Sequence, residues 1–111
     1  MTNISIKKEY EDILKSLGDI QLSIDSALRR YIIDMGTETM EKCETEIRRL
    51  EQKYGLSYES FLSKIGTDSD PDFLEELSKQ HPTWEADFNL WETYFEELKR
   101  WKERMRSILS I

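Results

Sequence analysis

The sequence has 111 residues, of which 38% are hydrophobic and 35% are charged, a balance typical of a soluble helical protein with a wide solvated face. No apolar run approaches the roughly 20 residues that a membrane span needs, and the N-terminal residues lack the order of a secretory signal. We therefore expect a cytoplasmic protein of about one domain. Its single cysteine, Cys43, excludes an internal disulfide and is predicted to be a small buried apolar residue.

The negative charge is concentrated in the last third of the chain. Residues 67–111 carry eleven acidic and six basic side chains, so −5 of the net charge of −7 lies there. A surplus of this sign repels nucleic acid and favours a basic partner protein, whereas the nearly neutral remainder tolerates a local phosphate-binding patch.

The first predicted element is a strand over residues 2–8, TNISIKK, in which isoleucines alternate with polar side chains. No second strand follows, so we expect its open edge to pair with the same strand of a second copy in an antiparallel ribbon. Ile4 and Ile6 are then dimerisation residues that face the helices. Asn3, Ser5 and Lys7 are DNA-binding residues on the outer face, suited to a major groove. A disordered tail is the alternative, because the alternation is short.

Two amphipathic helices are predicted next. The first covers residues 9–17 and ends at Gly18, and Asp19 caps the second, whose apolar face runs from Ile20 to Met35. At Gly36 this helix either breaks or bends. The apolar residues beyond Gly36 then follow the spacing of a coiled-coil seam, as far as Gly55: Met40, Cys43, Ile47, Leu50 and Tyr54.

Three further helices complete the prediction. Ser57 caps a short helix that ends at Gly66, and Asp70 caps another that begins at Pro71. Pro82 begins the last and longest helix, with His81 or Thr83 as alternative cap positions. The predicted fold is mainly α: a short N-terminal strand with two helices, followed by an antiparallel helical arm. Residues 1–35 form the dimerisation and DNA-binding region, and residues 36–111 form a helical-hairpin arm for a partner.

Aromatic side chains are concentrated on the last helix, which carries more aromatic surface than the helix before Gly55 can cover. A packed core and a protein interface both explain them, whereas the acidic residues between them argue against stacking on nucleic acid. The predicted partner-binding residues are Trp84, Trp91, Tyr94 and Trp101.

No catalytic constellation is visible in the sequence. It holds one histidine, His81, with no visible partner, and neither a glycine-rich phosphate loop nor paired carboxylates in a plausible pocket. We therefore predict a protein that is not an enzyme and has no cofactor, metal site or small-molecule substrate.

The order of strand, short helix, glycine turn and second helix resembles the ribbon-helix-helix family of dimeric DNA-binding proteins, which includes many antitoxins of toxin–antitoxin modules. The matching residues span about residues 2–35 and are Ile4, Ile6, Ile13, Leu14, Leu17, Gly18 and Ser26 to Ile32. Gly18-Asp19-Ile20 departs from the family, which has a serine-rich, phosphate-anchoring turn there. The remaining residues look like small antitoxin-like partners of a toxin gene.

This resemblance implies an antitoxin that binds operator DNA as an autorepressor and blocks a cognate toxin, often a ribonuclease, with its acidic arm. The alternative is a homodimeric helical interaction or scaffold protein without DNA binding. Asp19 and the net negative charge favour this alternative.

Overall fold

The computed structural model describes residues 3–66 and 70–111 of the chain. It contains five helices: α1 (Lys8–Ser16), α2 (Ile20–Tyr54), α3 (Tyr58–Ile65), α4 (Pro71–Gln80) and α5 (Trp84–Leu109). The chain divides into two compact units, unit 1 (Met1–Met35) and unit 2 (Gly36–Ile111). The prediction of a mainly α fold is confirmed.

The predicted N-terminal strand is wrong. Residues 3–7 are irregular, α1 begins directly after them, and the described part of the chain contains no strand. Thr2, where the predicted strand began, lies outside the described residues. A strand needs a neighbour for its backbone donors and acceptors, and five alternating residues beside helices have none. The predicted intermolecular ribbon, which required this strand, is therefore wrong as well.

Unit 1 consists of the irregular segment, α1 and the first part of α2. Gly18 turns the chain between the two helices with a positive φ of 132°. Asp19 Oδ1 then accepts a hydrogen bond of 3.0 Å from the backbone N–H of Leu22, which confirms the predicted cap of α2.

Gly36 does not break α2, which continues as one helix from Ile20 to Tyr54. Its own backbone is buried, because the side chains of Trp101 and Met105 on α5 lie directly against it. A Cβ atom at this position would be 2.9 Å from Met105 Sδ and 3.0 Å from the Trp101 ring. The glycine therefore permits close packing of two helices within unit 2.

The core of unit 2 lies where the last turns of α2 meet α3, α4 and α5. Trp91, Phe61 and Leu50 are its largest fully buried side chains. The predicted seam on α2 supplies Cys43, Ile47 and Leu50 to the buried set. Phe61 on α3 has aromatic rings within 6.2 Å that come from the three other helices of this core, α2, α4 and α5: Tyr54, Phe73, Trp84, Phe88 and Trp91.

The short helices begin as their sequences predict. Ser57 Oγ accepts a hydrogen bond of 3.2 Å from the Ser60 N–H, and Asp70 Oδ1 accepts one of 3.0 Å from the Asp72 N–H. The last helix begins at the later of its two predicted cap positions, Thr83 rather than His81. His81 still belongs to the end of α4, where its N–H donates to the Leu77 carbonyl at 2.8 Å, so α5 begins at Trp84.

Gly55 ends α2 in the left-handed region, with φ of 68° and open space where a Cβ would lie. Gly55→Ala is therefore expected to cost about 1 kcal/mol through backbone strain alone. Gly55→Asn should cost less, because asparagine tolerates this conformation. Urea unfolding of the three proteins measures the difference. Equal stability of the alanine variant and the parent would show that the turn relaxes without cost.

Candidate protein-interaction surface

Unit 1 buries none of the side chains that the structure describes in it. Every residue from 3 to 35 is exposed or half-buried, although the segment is rich in large apolar residues. Those that remain most exposed, at about two-fifths to four-fifths of their surface, are Ile4, Ile6, Tyr10, Ile13, Leu17, Leu22, Leu28, Tyr31, Ile32 and Met35. A monomeric protein rarely leaves so many large apolar side chains of one segment in water, so this unit is the principal candidate for an interface.

A groove with a volume of about 740 Å³ runs along unit 1 between the irregular segment, α1 and α2. We call it the unit 1 groove. None of its nine lining residues is charged, and most are apolar: Ile4, Ile6, Tyr10, Leu14, Gln21, Ser23, Ile24, Ala27 and Leu28. A lining of this kind fits an apolar side chain or helix face.

The sequence predicted dimerisation through Ile4 and Ile6 alone. Both residues do lie on the unit 1 groove, but as part of an irregular segment rather than a ribbon. The larger contribution comes from α2, where Leu28 lines the groove and Tyr31 and Ile32 extend the apolar face beyond it. Their helical spacing was visible in the sequence. Their exposure was not, since an amphipathic stripe is usually covered within its own fold.

The three predicted DNA-binding residues, Asn3, Ser5 and Lys7, are all exposed and lie on the irregular segment. Without a strand they do not alternate on one face of a ribbon. Lys7 instead packs its ammonium 5.8 Å from the centre of the Tyr10 ring. The three residues are close in sequence, but the structure does not place them on one face that could enter the major groove of DNA.

The predicted partner-binding aromatics are used mainly inside unit 2. Trp91 is fully buried, with its ring centre 5.2 Å from that of Phe61 and 5.8 Å from that of Tyr58. Trp91 therefore belongs to the core of unit 2, and the prediction that it contacts a partner directly is corrected. Packing by α3 and α4, which the prediction had not counted, covers the aromatic surface that the α2 seam alone leaves open.

Trp84, Tyr94 and Trp101 are half-buried. Trp101 donates from Nε1 to Glu97 Oε1 at 3.0 Å, and the Arg104 guanidinium lies 5.0 Å from the centre of its ring. Tyr94 contributes to a shallow acidic groove of about 510 Å³, together with residues of α2: Glu38, Glu41, Lys42, Thr45 and Glu46. Tyr94 thus lines a groove with several acidic side chains, whereas Trp101 contacts one carboxylate on its own helix.

Charge is divided along α5. Residues 84–97 hold five acidic side chains and no basic one, whereas residues 98–109 hold five basic side chains and one acidic one. The acidic surplus of the last third of the chain therefore ends near Glu97. Electrostatic steering of a basic partner is expected only toward the first half of the helix.

One polar cluster is central to unit 2. Asp87 Oδ2 accepts hydrogen bonds of 2.6 Å from both Lys53 Nζ and the Tyr54 hydroxyl. Burial alone raises the pKa of Asp87, but these two donors outweigh it and hold the pKa below its usual value. Burial and the hydrogen bond to Asp87 raise the pKa of Tyr54. The cluster joins α2 to α5 and is structural.

Asp87→Asn is expected to lower stability at neutral pH by about 1–3 kcal/mol, because it leaves Lys53 without its charged acceptor. Since the folded-state pKa of Asp87 is depressed, its carboxylate stabilises the fold above about pH 4. This contribution is lost as the pH falls through the folded-state pKa. Urea midpoints from neutral to acidic pH should therefore converge for the parent and the variant.

Glu75→Gln is the matched control, because Glu75 pairs with Lys79 on the surface with both side chains about two-thirds exposed. Its stability should follow that of the parent across the pH range. A constant difference between Asp87→Asn and the parent down to low pH would contradict the proposed ionic contribution.

The single cysteine and the single histidine of the sequence both lie in unit 2. Cys43 is buried, and burial raises the pKa of its thiol, so it behaves as the predicted apolar residue. The ring of His81 packs 4.8 Å from that of Tyr54. Within residues 3–66 and 70–111, no three histidine, cysteine or acidic side chains are grouped as metal ligands.

Comparisons with models of known protein families, with curated proteins and with solved structures found no match for this chain. The resemblance to antitoxins therefore stays a prediction from local sequence pattern. Among the helices of the described residues, none combines the length and the apolar character needed to cross a bilayer.

Proposed function

We propose that the protein is a non-catalytic helical interaction protein of the cytoplasm, in which unit 1 binds protein and unit 2 is its independently packed support. The observation that carries the proposal is the contrast between the two units. Unit 2 has a buried aromatic core, whereas residues 3–35 of unit 1 bury no side chain and expose an apolar groove. A two-helix hairpin without a core lacks the burial that stabilises a fold, so its ordered state needs a partner.

Site-specific photo-crosslinking in the native host tests this proposal. A photoreactive phenylalanine analogue at Tyr31, on the exposed apolar face of α2, should form covalent adducts with protein. The same analogue at Ser26 is the matched control. Ser26 is an exposed residue that lies about 140° around the helix from Tyr31, away from the apolar face. Absence of a protein adduct at Tyr31, or equal adducts at both positions, would reject the proposal.

A second candidate function, neutralisation of a basic toxin such as a ribonuclease, is favoured by the acidic first half of α5. Glu85, Glu92 and Glu96 are all exposed there, and the acidic groove beside Tyr94 adds further carboxylates. An acidic surface accelerates association with a basic nuclease and competes with its RNA substrate. DNA autorepression is not part of this candidate, because the ribbon it required is not formed.

The charge-reversal variant Glu85→Lys/Glu92→Lys/Glu96→Lys tests this candidate against a basic ribonuclease encoded by a neighbouring gene. Association should slow by about tenfold or more at low salt. Lys99→Glu/Lys102→Glu, on the basic half of the same helix, should leave association unchanged or faster. If the triple glutamate variant associates with the ribonuclease and inhibits it as the parent does, the acidic surface is not the toxin-binding site.

A further inference from the structure

We propose that the partner of unit 1 is a second copy of this chain, and that two helical hairpins pack through their groove faces into a symmetric four-helix dimer. This inference rests on the proposed function, since it names the protein that unit 1 binds. It replaces the two-stranded ribbon by a helical interface formed from the groove and the adjoining apolar face of α2.

The exposed apolar area has the size that a dimer needs. The side chains involved are Ile4, Ile6, Tyr10, Leu28, Tyr31 and Ile32, with smaller contributions from the half-buried groove residues. At roughly 180 Å² for a fully exposed large side chain, they present on the order of 700 Å² per copy. A standard-size interface buries about 800 Å² on each partner.

The nearly neutral charge of unit 1 favours a second copy of this chain over a strongly charged partner protein. The unit 1 groove contains no charged side chain, and residues 1–35 carry five basic and six acidic residues. A strongly basic or acidic protein would therefore find no complementary field at this face. A second copy meets a nearly neutral surface, so association brings little like-charge repulsion.

The shape of unit 1 is compatible with self-association. The groove supplies a concave surface, and Leu28, Tyr31 and Ile32 form an adjoining row at helical spacing on α2. In a two-fold arrangement each copy presents both a groove and a row, so each row can enter the groove of the other copy. Two such hairpins give four helices around one apolar centre, the layered arrangement of a small helical bundle.

Light scattering coupled to gel filtration, applied to the full chain over a roughly hundredfold concentration range, measures the assembly directly. The parent should have twice the 13.3 kDa mass of one chain. Leu28→Glu/Tyr31→Glu should have the mass of one chain, because burying four unpaired carboxylates in the dimer is strongly unfavourable. All three tryptophans lie in unit 2, so unchanged tryptophan fluorescence shows that this unit still folds.

Ser26→Glu/Thr37→Glu is the control with the same added charge at two exposed positions of α2 outside the apolar face. It should remain dimeric. A dimer that persists in Leu28→Glu/Tyr31→Glu, or a monomeric parent at every concentration, would overturn the inference.

Amide hydrogen exchange of the parent separates failure of this inference from failure of the proposed function. If the parent is monomeric and residues 3–35 exchange rapidly, unit 1 is unfolded alone and folds on a different protein. The inference then fails, and the proposed function stands. If the parent is monomeric and these residues are protected, the hairpin is stable with its apolar face in water, and both fail.

Discussion

Trp91→Ala is expected to lower the free energy of unfolding of unit 2 by about 3–5 kcal/mol, the largest effect of any single substitution considered for this chain. The Trp91 side chain is fully buried and packs against the rings of Tyr54, Tyr58 and Phe61. Alanine leaves a cavity that these rigid rings cannot fill. Guanidinium unfolding followed by circular dichroism measures the loss. Because the total stability of a small domain is only about 5–15 kcal/mol, the variant can already be partly unfolded at room temperature.

Trp91→Phe distinguishes lost packing from a lost hydrogen bond. The Nε1 donor of Trp91 is buried and has no acceptor among the described residues, so phenylalanine forfeits no hydrogen bond and removes an unsatisfied donor. Its cost should therefore be well below that of alanine. Leu90→Ala is the neighbouring control, because Leu90 is about half exposed and should change stability little. Equal losses in Trp91→Phe and Trp91→Ala would contradict a packing role.

Gly36→Leu is expected to destabilise unit 2 by about 1–3 kcal/mol, although leucine is a far better helix former than glycine. Even a Cβ atom at this position comes within 3.0 Å of Met105 and Trp101, so a full side chain must push α5 away from α2. Thermal unfolding measures the loss. Thr37→Leu controls for helix propensity at the adjacent exposed position and should be neutral or slightly stabilising.

A compensating substitution makes the prediction for Gly36 more specific. Met105→Ala removes the side chain whose sulfur lies closest to the position of the new Cβ. If steric conflict causes the loss, the double variant should be more stable than the sum of the two single effects predicts. Strict additivity would show that Gly36 stabilises the protein for a different reason.

Local signals in the sequence predicted the helices well, because each signal acts over one turn. The hydroxyl of Ser57 and the carboxylate of Asp70 need only the next few backbone donors, which their own helices provide. The α2 seam was likewise readable, since Cys43, Ile47 and Leu50 recur at a spacing that brings them to one face.

Signals that depend on a distant neighbour were read less well. The alternation around Ile4 and Ile6 is compatible with a strand, but a strand requires a second one beside it, and the adjacent elements are helices. Gly36 was expected to break or bend the helix, because glycine lacks helix propensity. Its reason is visible only in three dimensions, where Trp101 and Met105 occupy the space of a side chain.

The extent of the exposed apolar surface of unit 1 was predicted only in part, because dimerisation was assigned to Ile4 and Ile6 without the exposed α2 residues Leu28, Tyr31 and Ile32. The sequence shows which residues of unit 1 are apolar but not which of them the fold covers, and it placed a second partner, a toxin, on the aromatic face of α5. Trp91 is covered by Tyr58 and Phe61 from α3, while Leu28 and Tyr31 remain exposed. Burial is a property of the assembled helices, so hydrophobic periodicity alone could not assign the two faces.

The burial of Cys43 has a practical consequence for chemical labelling. As the only cysteine in the sequence, it retains about 3% of its surface accessibility, and its thiol is held in the protonated form that alkylating reagents attack slowly. Its modification rate therefore reports how often unit 2 opens. A cysteine introduced on the surface of unit 1 would react far faster, which gives selective attachment of a fluorophore or spin label without first removing the native thiol.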